Sequence, residues 1–475
     1  MDSSTQEGGG KKKVSEVITV PVPYALGEIK ENITITSNTS SKSSKEELIN
    51  QAFKFHSQGN ISQAAKYYQH FINQGFKDHR VFSNYAGILQ GIGKLETAEI
   101  SLRKAIELKP DFVEAHYNQG VILSDLGKLQ EAELSTRKAI ELKPDLAEAH
   151  SNLGGILKDL GKLQESFDSL LRVIKINPTF PNIYPLITRF IQESDISQLN
   201  KSKLKDILNL LLERNDVPHK ELFNAFNFLY SNKIISNLEK LDSDFSKIEL
   251  LVNEQVIMNS FKKITFKDIR LEKLLTNVRK YICERITGSK KEISFSQLQL
   301  IIALGEQCFL NEYVYSLTEA EKSSLNIIIN RCIDGESNET NISILSCYIP
   351  LYKILDQIPY LNSISSSHQS FKELIKLQIT EPIKEIKLSQ KIKKLGLIND
   401  DISQKVKSQY EENPYPRWRY SSHQTNQKIS IVQVINNEIN PNYIRQNIDN
   451  NKLKVLIAGC GTGNQILQTQ RYKNA

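Results

Sequence analysis

The sequence predicts a mainly α-helical protein: a solenoid of helix pairs, then an irregular all-helical region, then the opening strand, turn and helix of a parallel α/β layer. Three observations carry this. Gly59, Gly93, Gly127 and Gly161 stand 34 positions apart. From 181 to 408 apolar residues keep helical three-and-four spacing but lose the period. Near the end, KVLIAGCGTGNQ runs from an apolar stretch into closely spaced glycines.

Residues 1–44 are polar and rich in Ser and Thr, apart from the short extended stretch VITVPVPYALG, and are expected to be disordered. The first helix then announces itself. Ser44-Lys45-Glu46-Glu47 has capping-box spacing, in which the serine and the last glutamate each satisfy an otherwise free backbone N–H.

Residues 45–180 hold about four repeats. GKLETAE, GKLQEAE and GKLQESF recur around the glycines, and KAIELKPD occurs twice. Such a period marks stacked units, each burying its apolar face only against its neighbours. In the block 113–146, Gly120 and Ala132 are small where two helix axes must approach, Gly127 permits the turn, and Pro144 stops the second helix. The pattern resembles the tetratricopeptide repeat. Ala86 replaces its usual glycine in the second copy, and Phe76 its proline in the weaker first one.

Asn84, Asn118 and Asn152 also return every 34 residues on the first helix of each pair. Asparagine is a poor helix former, so its regular return wants a reason. One reading is an amide ladder along the groove, able to hydrogen-bond an extended peptide in both directions. Similar ladders line the repeats of nucleocytoplasmic O-linked N-acetylglucosamine transferases. The other reading is an asparagine that stitches adjacent repeats together. His116 and His150 are read as packing residues.

In the helical middle, 181–408, the segment LIIALGEQCFLNEYVYSLT (300–318) carries Glu306, Glu312 and Tyr313, which could reach a cleft; the favoured expectation is an amphipathic helix with a polar edge. Cys308, among Leu and Phe, reads as a buried inert thiol.

The last segment, 409–475, reads as a linker and the start of another domain. Val455-Leu456-Ile457 is a buried-strand signal, and Gly459, Gly461 and Gly463 form G-x-G-x-G before a helix-like stretch. A dinucleotide fingerprint would place its third glycine one position later. The tighter spacing resembles the first motif of class I S-adenosylmethionine-dependent methyltransferases. Upstream, YEENPYPRW spaces Tyr410, Tyr415 and Trp418 with prolines along a stiff segment. Repeats, helical middle, YEENPYPRW and VLIAGCGTGN in this order, with QCFLNEYVY between, resemble bacterial tetratricopeptide-repeat proteins fused to a methyltransferase domain. The resemblance implies S-adenosylmethionine as cofactor, with Gly459, Gly461, Gly463, Tyr410 and Trp418 as its contacts. Since the family's later motifs do not follow Ala475, it also implies an incomplete, Rossmann-like catalytic domain and an inactive chain by itself; no catalytic residue is assigned.

Composition narrows the classes further. A formal charge of +7 with scattered lysines gives no support to nucleic-acid binding. Nothing approaches the roughly 18 consecutive apolar residues of a membrane span. Five widely spaced cysteines without a C-x-x-C pair indicate neither a zinc site nor a disulfide framework, and the expected setting is cytoplasmic. The expected partner is a protein or peptide in the repeat groove, either recruited to a methyltransferase or held by a non-enzymatic scaffold.

Overall fold

The computed structural model describes residues 44–239, 251–288 and 293–391, together with 401, 404, 405 and 408. These are helical, with no strand among them. The stretches 1–43 and 409–475 lie outside the described residues, and so does the expected strand–turn–helix at 455–470. Two compact units divide the chain, one ending at Ile183 and the other beginning at Tyr184.

In the first unit, eight helices form four antiparallel pairs: α1 (Lys45–Ser57) with α2 (Ile61–Asn73), α3 (His79–Gly91) with α4 (Leu95–Leu108), α5 (Val113–Asp125) with α6 (Leu129–Leu142), and α7 (Ala147–Asp159) with α8 (Leu163–Ile176). The capping box at Ser44 forms as the spacing predicts. Each pair turns on one backbone device. Gly93 has φ +74°, its N–H donates to Gln90 O, and the Lys94 N–H reaches back to Leu89 O. This is a Schellman closure, repeated at Gly59, Gly127 and Gly161 with φ between +72° and +74°. A β-carbon in that conformation crowds the following carbonyl, which is why glycine recurs there.

Packing within a pair depends on small residues. A β-carbon on Gly120 would sit 2.1 Å from Thr136 Oγ1, and one on Gly154 would sit 2.7 Å from Leu170 Cδ2. Ala64, Ala98 and Ala132 are fully buried at the matching place on the second helix. Ser166 takes that place in the last pair, and its buried hydroxyl donates to Gly154 O at 2.6 Å. First helices of successive repeats also touch one another, α3 with α5 and α5 with α7, whereas the second helices approach less closely. The layer with the closer axes is the inner side of a curved stack, so α3, α5 and α7 line the groove.

The second unit contains α9 (Ile183–Glu193), α10 (Lys201–Glu213), α11 (Phe223–Leu238), α12 (Gln255–Lys263), α13 (Ile269–Gly288), α14 (Phe295–Leu310), α15 (Glu319–Ile333), α16 (Glu339–Ser346), α17 (Gln369–Ile375), a π-helical turn (Lys376–Thr380) and α18 (Glu381–Ser389). At its centre lies α14, packed against α12, α16 and α17. The amphipathic reading of 300–318 is corrected here. Every residue from Leu300 to Leu310 is buried, Glu306 and Gln307 included, because neighbouring helices cover every face of this half of α14.

Candidate functional site

The inner layer of the repeats is built by helical register. Residues i, i+4, i+7 and i+11 share one helix face. On α5 these are Glu114, Asn118, Val121 and Asp125; on α7 they are Glu148, Asn152, Gly155 and Asp159; on α3 they are Arg80, Asn84, Gly87 and Gly91. The adjoining and far sides hold Ala115, Ile122 and Leu123 on α5 and Ala149, Ile156 and Leu157 on α7, all buried. The three asparagines therefore fall in one row across the layer.

Their side chains are not equivalent. Asn84 Nδ2 donates to Tyr68 Oη at 3.3 Å, and Asn152 Nδ2 donates to Thr136 Oγ1 at 3.3 Å. Each partner lies 16 residues back, on the second helix of the preceding repeat. At the matching position behind Asn118 stands Leu102, which offers no acceptor. Asn118 is half-buried and its amide has no hydrogen-bond partner among the described residues. Two rungs thus stitch repeats with their donors, and the middle rung keeps both its donor and its acceptor.

Glycines on this face are open. At Gly87 and Gly155, three residues after Asn84 and Asn152, an added β-carbon would meet nothing within 4 Å. Neither has positive φ, so neither turn geometry nor close packing explains them. His116 and His150 do pack as read: each Nε2 donates to the carbonyl of the proline before its helix, Pro110 at 2.9 Å and Pro144 at 3.0 Å.

On the outer helices the charges are spent between repeats. Glu99 is buried and accepts from Arg103 one turn on and from Lys128 of the next repeat at 3.1 Å. Glu133 repeats this with Arg137 and Lys162, the latter at 2.7 Å. Burial opposes ionisation of both carboxyls, but the hydrogen bonds from lysine and arginine outweigh it and hold them below the usual glutamate range. The carboxylates missed by sequence reasoning are on the inner face. Glu114, Glu148, Asp125 and Asp159 are exposed, and none has a lysine or arginine partner among the described residues. Their signal was present as an eleven-residue spacing repeated after 34.

The second unit offers a polar cleft of about 700 Å³ between α10, α12 and the π-helical turn. Its lysines are answered locally. Lys263 reaches Leu212 O, Arg214 O and Asn215 Oδ1, Lys262 lies between Glu373 at 3.3 Å and buried Glu306 at 3.9 Å, and Lys376 lies 3.8 Å from Glu381. Beyond α14, Glu312 and Tyr313 adopt positive φ, +56° and +58°. The Tyr313 hydroxyl lies within hydrogen-bond reach of Ser346 O and Gln378 Oε1, while Gln378 Nε2 donates to Gly305 O and Ser346 O and Gln378 Oε1 accepts from the Leu351 N–H. The π turn thus delivers Gln378 into the core as a fully used linker. Arg279, Glu321 and Tyr348 form another buried group, with Tyr348 Oη donating to Glu321 at 3.0 Å and the guanidinium 4.2 Å over the Tyr348 ring. Cys308 is fully buried and its thiol is pushed up to about 12, the inert state expected of it. Gly459, Gly461, Gly463, Tyr410 and Trp418 lie outside the described residues.

Comparison with known proteins agrees with the periodicity. Tetratricopeptide-repeat models match residues 79–112, 101–133 and 147–180. No curated protein matches the chain. Among solved structures, the crystal structure of MamA aligns over 34% of this chain and 92% of its own, at 20% identity and TM-score 0.31. MamA from residue 41 to its end, from Desulfovibrio magneticus RS-1, aligns over 36% and 93% at 15% identity and TM-score 0.32. PilF of Pseudomonas aeruginosa aligns over 44% and 97% at 13% identity and TM-score 0.32.

Proposed function

We propose that this chain is a protein-interaction scaffold whose repeats hold an extended segment of a partner against the α3–α5–α7 face. Tetratricopeptide repeats generally bind proteins or peptides, and Asn118 is the observation that carries the reading here. A half-buried amide with an unspent donor and acceptor, at the centre of a row whose other members are tied down, suits a passing peptide backbone, which presents one N–H and one C=O per residue. Gly87 and Gly155 leave room for close approach on either side.

The test is capture of a partner by the full chain and by Asn118→Ala. Loss of capture with helical circular dichroism unchanged supports the groove. Undiminished capture by the variant sinks it.

The G-x-G-x-G spacing of Gly459, Gly461 and Gly463 favours a second reading, in which S-adenosylmethionine binds that loop and the repeats recruit a methyl acceptor. Titration calorimetry with the cofactor tests it. Saturable binding that Gly461→Val abolishes would support a methyltransferase, and its absence leaves the scaffold.

A further inference from the structure

We infer that the groove selects a basic partner, an extended segment carrying lysine or arginine, through the carboxylate pairs Glu114–Glu148 and Asp125–Asp159. This rests on the groove reading above and names the chemistry of its occupant.

Four observations lead there. First, the two pairs flank Asn118 and Asn152 on the same helical stripe, one pair at each end, so a chain lying over the amides passes between carboxylates. Second, the repeats treat their charges unequally. Glu99, Glu107, Glu131, Glu133, Glu141 and Glu165 on the outer helices have lysine or arginine within 4 Å, with Glu96 the exception on α4, while the four inner carboxylates have none among the described residues. Third, Asp125 and Asp159 are the last residues of α5 and α7. There the unsatisfied carbonyls make the helix end negative, so an anionic side chain opposes the macrodipole. Asp159 has no hydrogen-bond partner among the described residues, and Asp125 has only a neutral one, the Gln90 amide of the preceding repeat at 2.9 Å. Fourth, the amide between the two pairs is unspent: Asn118 is half-buried and has no hydrogen-bond partner among the described residues, so it can take up the backbone of such a chain. Amides bordered by carboxylates that no lysine or arginine answers fit a donor-rich chain, whereas an acidic segment would meet like charge at both margins.

The experiment measures fluorescence anisotropy of three labelled Gly/Ser peptides, interspersed with lysine, with glutamate or with neither, against the full chain. Its variants are the fourfold Glu114→Gln, Asp125→Asn, Glu148→Gln, Asp159→Asn and, as control, the outer pair Glu107→Gln, Glu141→Gln. The lysine peptide is expected to bind most tightly, to weaken roughly tenfold with the fourfold variant, and to be indifferent to the outer pair. Its advantage is expected to shrink as salt rises. The variant should fold at least as well as the parent, since two of its changes relieve a helix terminus. Equal binding of all three peptides, lost in Asn118→Ala, would leave the groove standing and overturn the charge inference. Preference for the glutamate peptide would also overturn it. Binding of no peptide would overturn the groove reading, and this inference with it.

Discussion

Replacing Gly155 by alanine should stabilise the repeats, and the size of the gain follows from three features of the site. The residue sits in the middle of α7, exposed, with ordinary helical backbone. Its β-carbon would meet nothing within 4 Å, so no packing cost is incurred. What remains is the difference in helix propensity, about 0.8–1.0 kcal/mol in favour of alanine. Amide hydrogen exchange in α7 reads this directly: a stabilisation of about 1 kcal/mol slows exchange through opening of that helix roughly fivefold. The same change at Gly154, one residue earlier, should destabilise, because there the β-carbon lies 2.7 Å from Leu170 Cδ2 and 2.9 Å from its Cγ. Adjacent positions with identical substitutions thus separate with opposite sign. Faster exchange in Gly155→Ala, or equal effects at the two positions, would refute the reasoning that Gly155 has no role inside the fold. If stability rises while partner capture falls, the glycine serves the groove.

Other expectations follow from the same geometry. Gly127→Ala places a β-carbon at φ +72° and should cost about 1–2 kcal/mol, read as a lowered urea midpoint, with no compensating contact to recover it. Glu99 and Glu133 titrate below the usual range in the folded chain, so their stabilisation is present above the ordinary glutamate value and disappears as pH falls through the depressed folded values. The acid limb of a urea-midpoint profile should therefore be shallower in Glu99→Gln, Glu133→Gln, and an unchanged limb would remove the inter-repeat ion pairs from the account. Tyr313→Phe removes the hydroxyl that lies against Ser346 O and Gln378 Oε1, at about 1 kcal/mol by thermal unfolding. Gln378→Leu strands the Leu351 N–H and also removes the bonds to Gly305 O and Ser346 O, so its loss should exceed that of Tyr313→Phe.

The repeats were legible because their signals are local and multiplied. A glycine forced to positive φ, a small residue at a helix crossing and a proline beyond a helix end each have one physical meaning, and four copies in register leave little room for another fold. The asparagine row was legible as a period but not as chemistry. Whether its amide is spent depends on the residue 16 positions earlier, Tyr68, Leu102 or Thr136, on a different helix. The second unit was legible only as helical. Its α14 looked amphipathic because Glu306 and Gln307 are polar, and no window of one helix reveals that other helices cover it on every side. Gln378 gave no signal at all, since its partners Gly305, Tyr313, Ser346 and Leu351 all lie far from it in the chain.

The partition of charge in the repeats joins stability to recognition. A stack of helix pairs has no long-range core, so each interface must supply its own adhesion. Here the outer helices meet that need with carboxylates shared between successive repeats, Glu99 with Lys128 and Glu133 with Lys162. Because those charged ties lie on the outer layer, the inner face adds only neutral ones, from Asn84, Asn152 and Gln90. It can then carry residues a helix would not choose for itself: open glycines at Gly87 and Gly155, an unspent amide at Asn118, and aspartates at the negative ends of α5 and α7. Apart from the bond that Asp125 accepts from Gln90, none of these ties the free chain together, and on the proposed reading they serve the donor-rich segment that lies across them. Neutralising the outer ties and the inner carboxylates should therefore have separable effects, the first on unfolding and the second on capture.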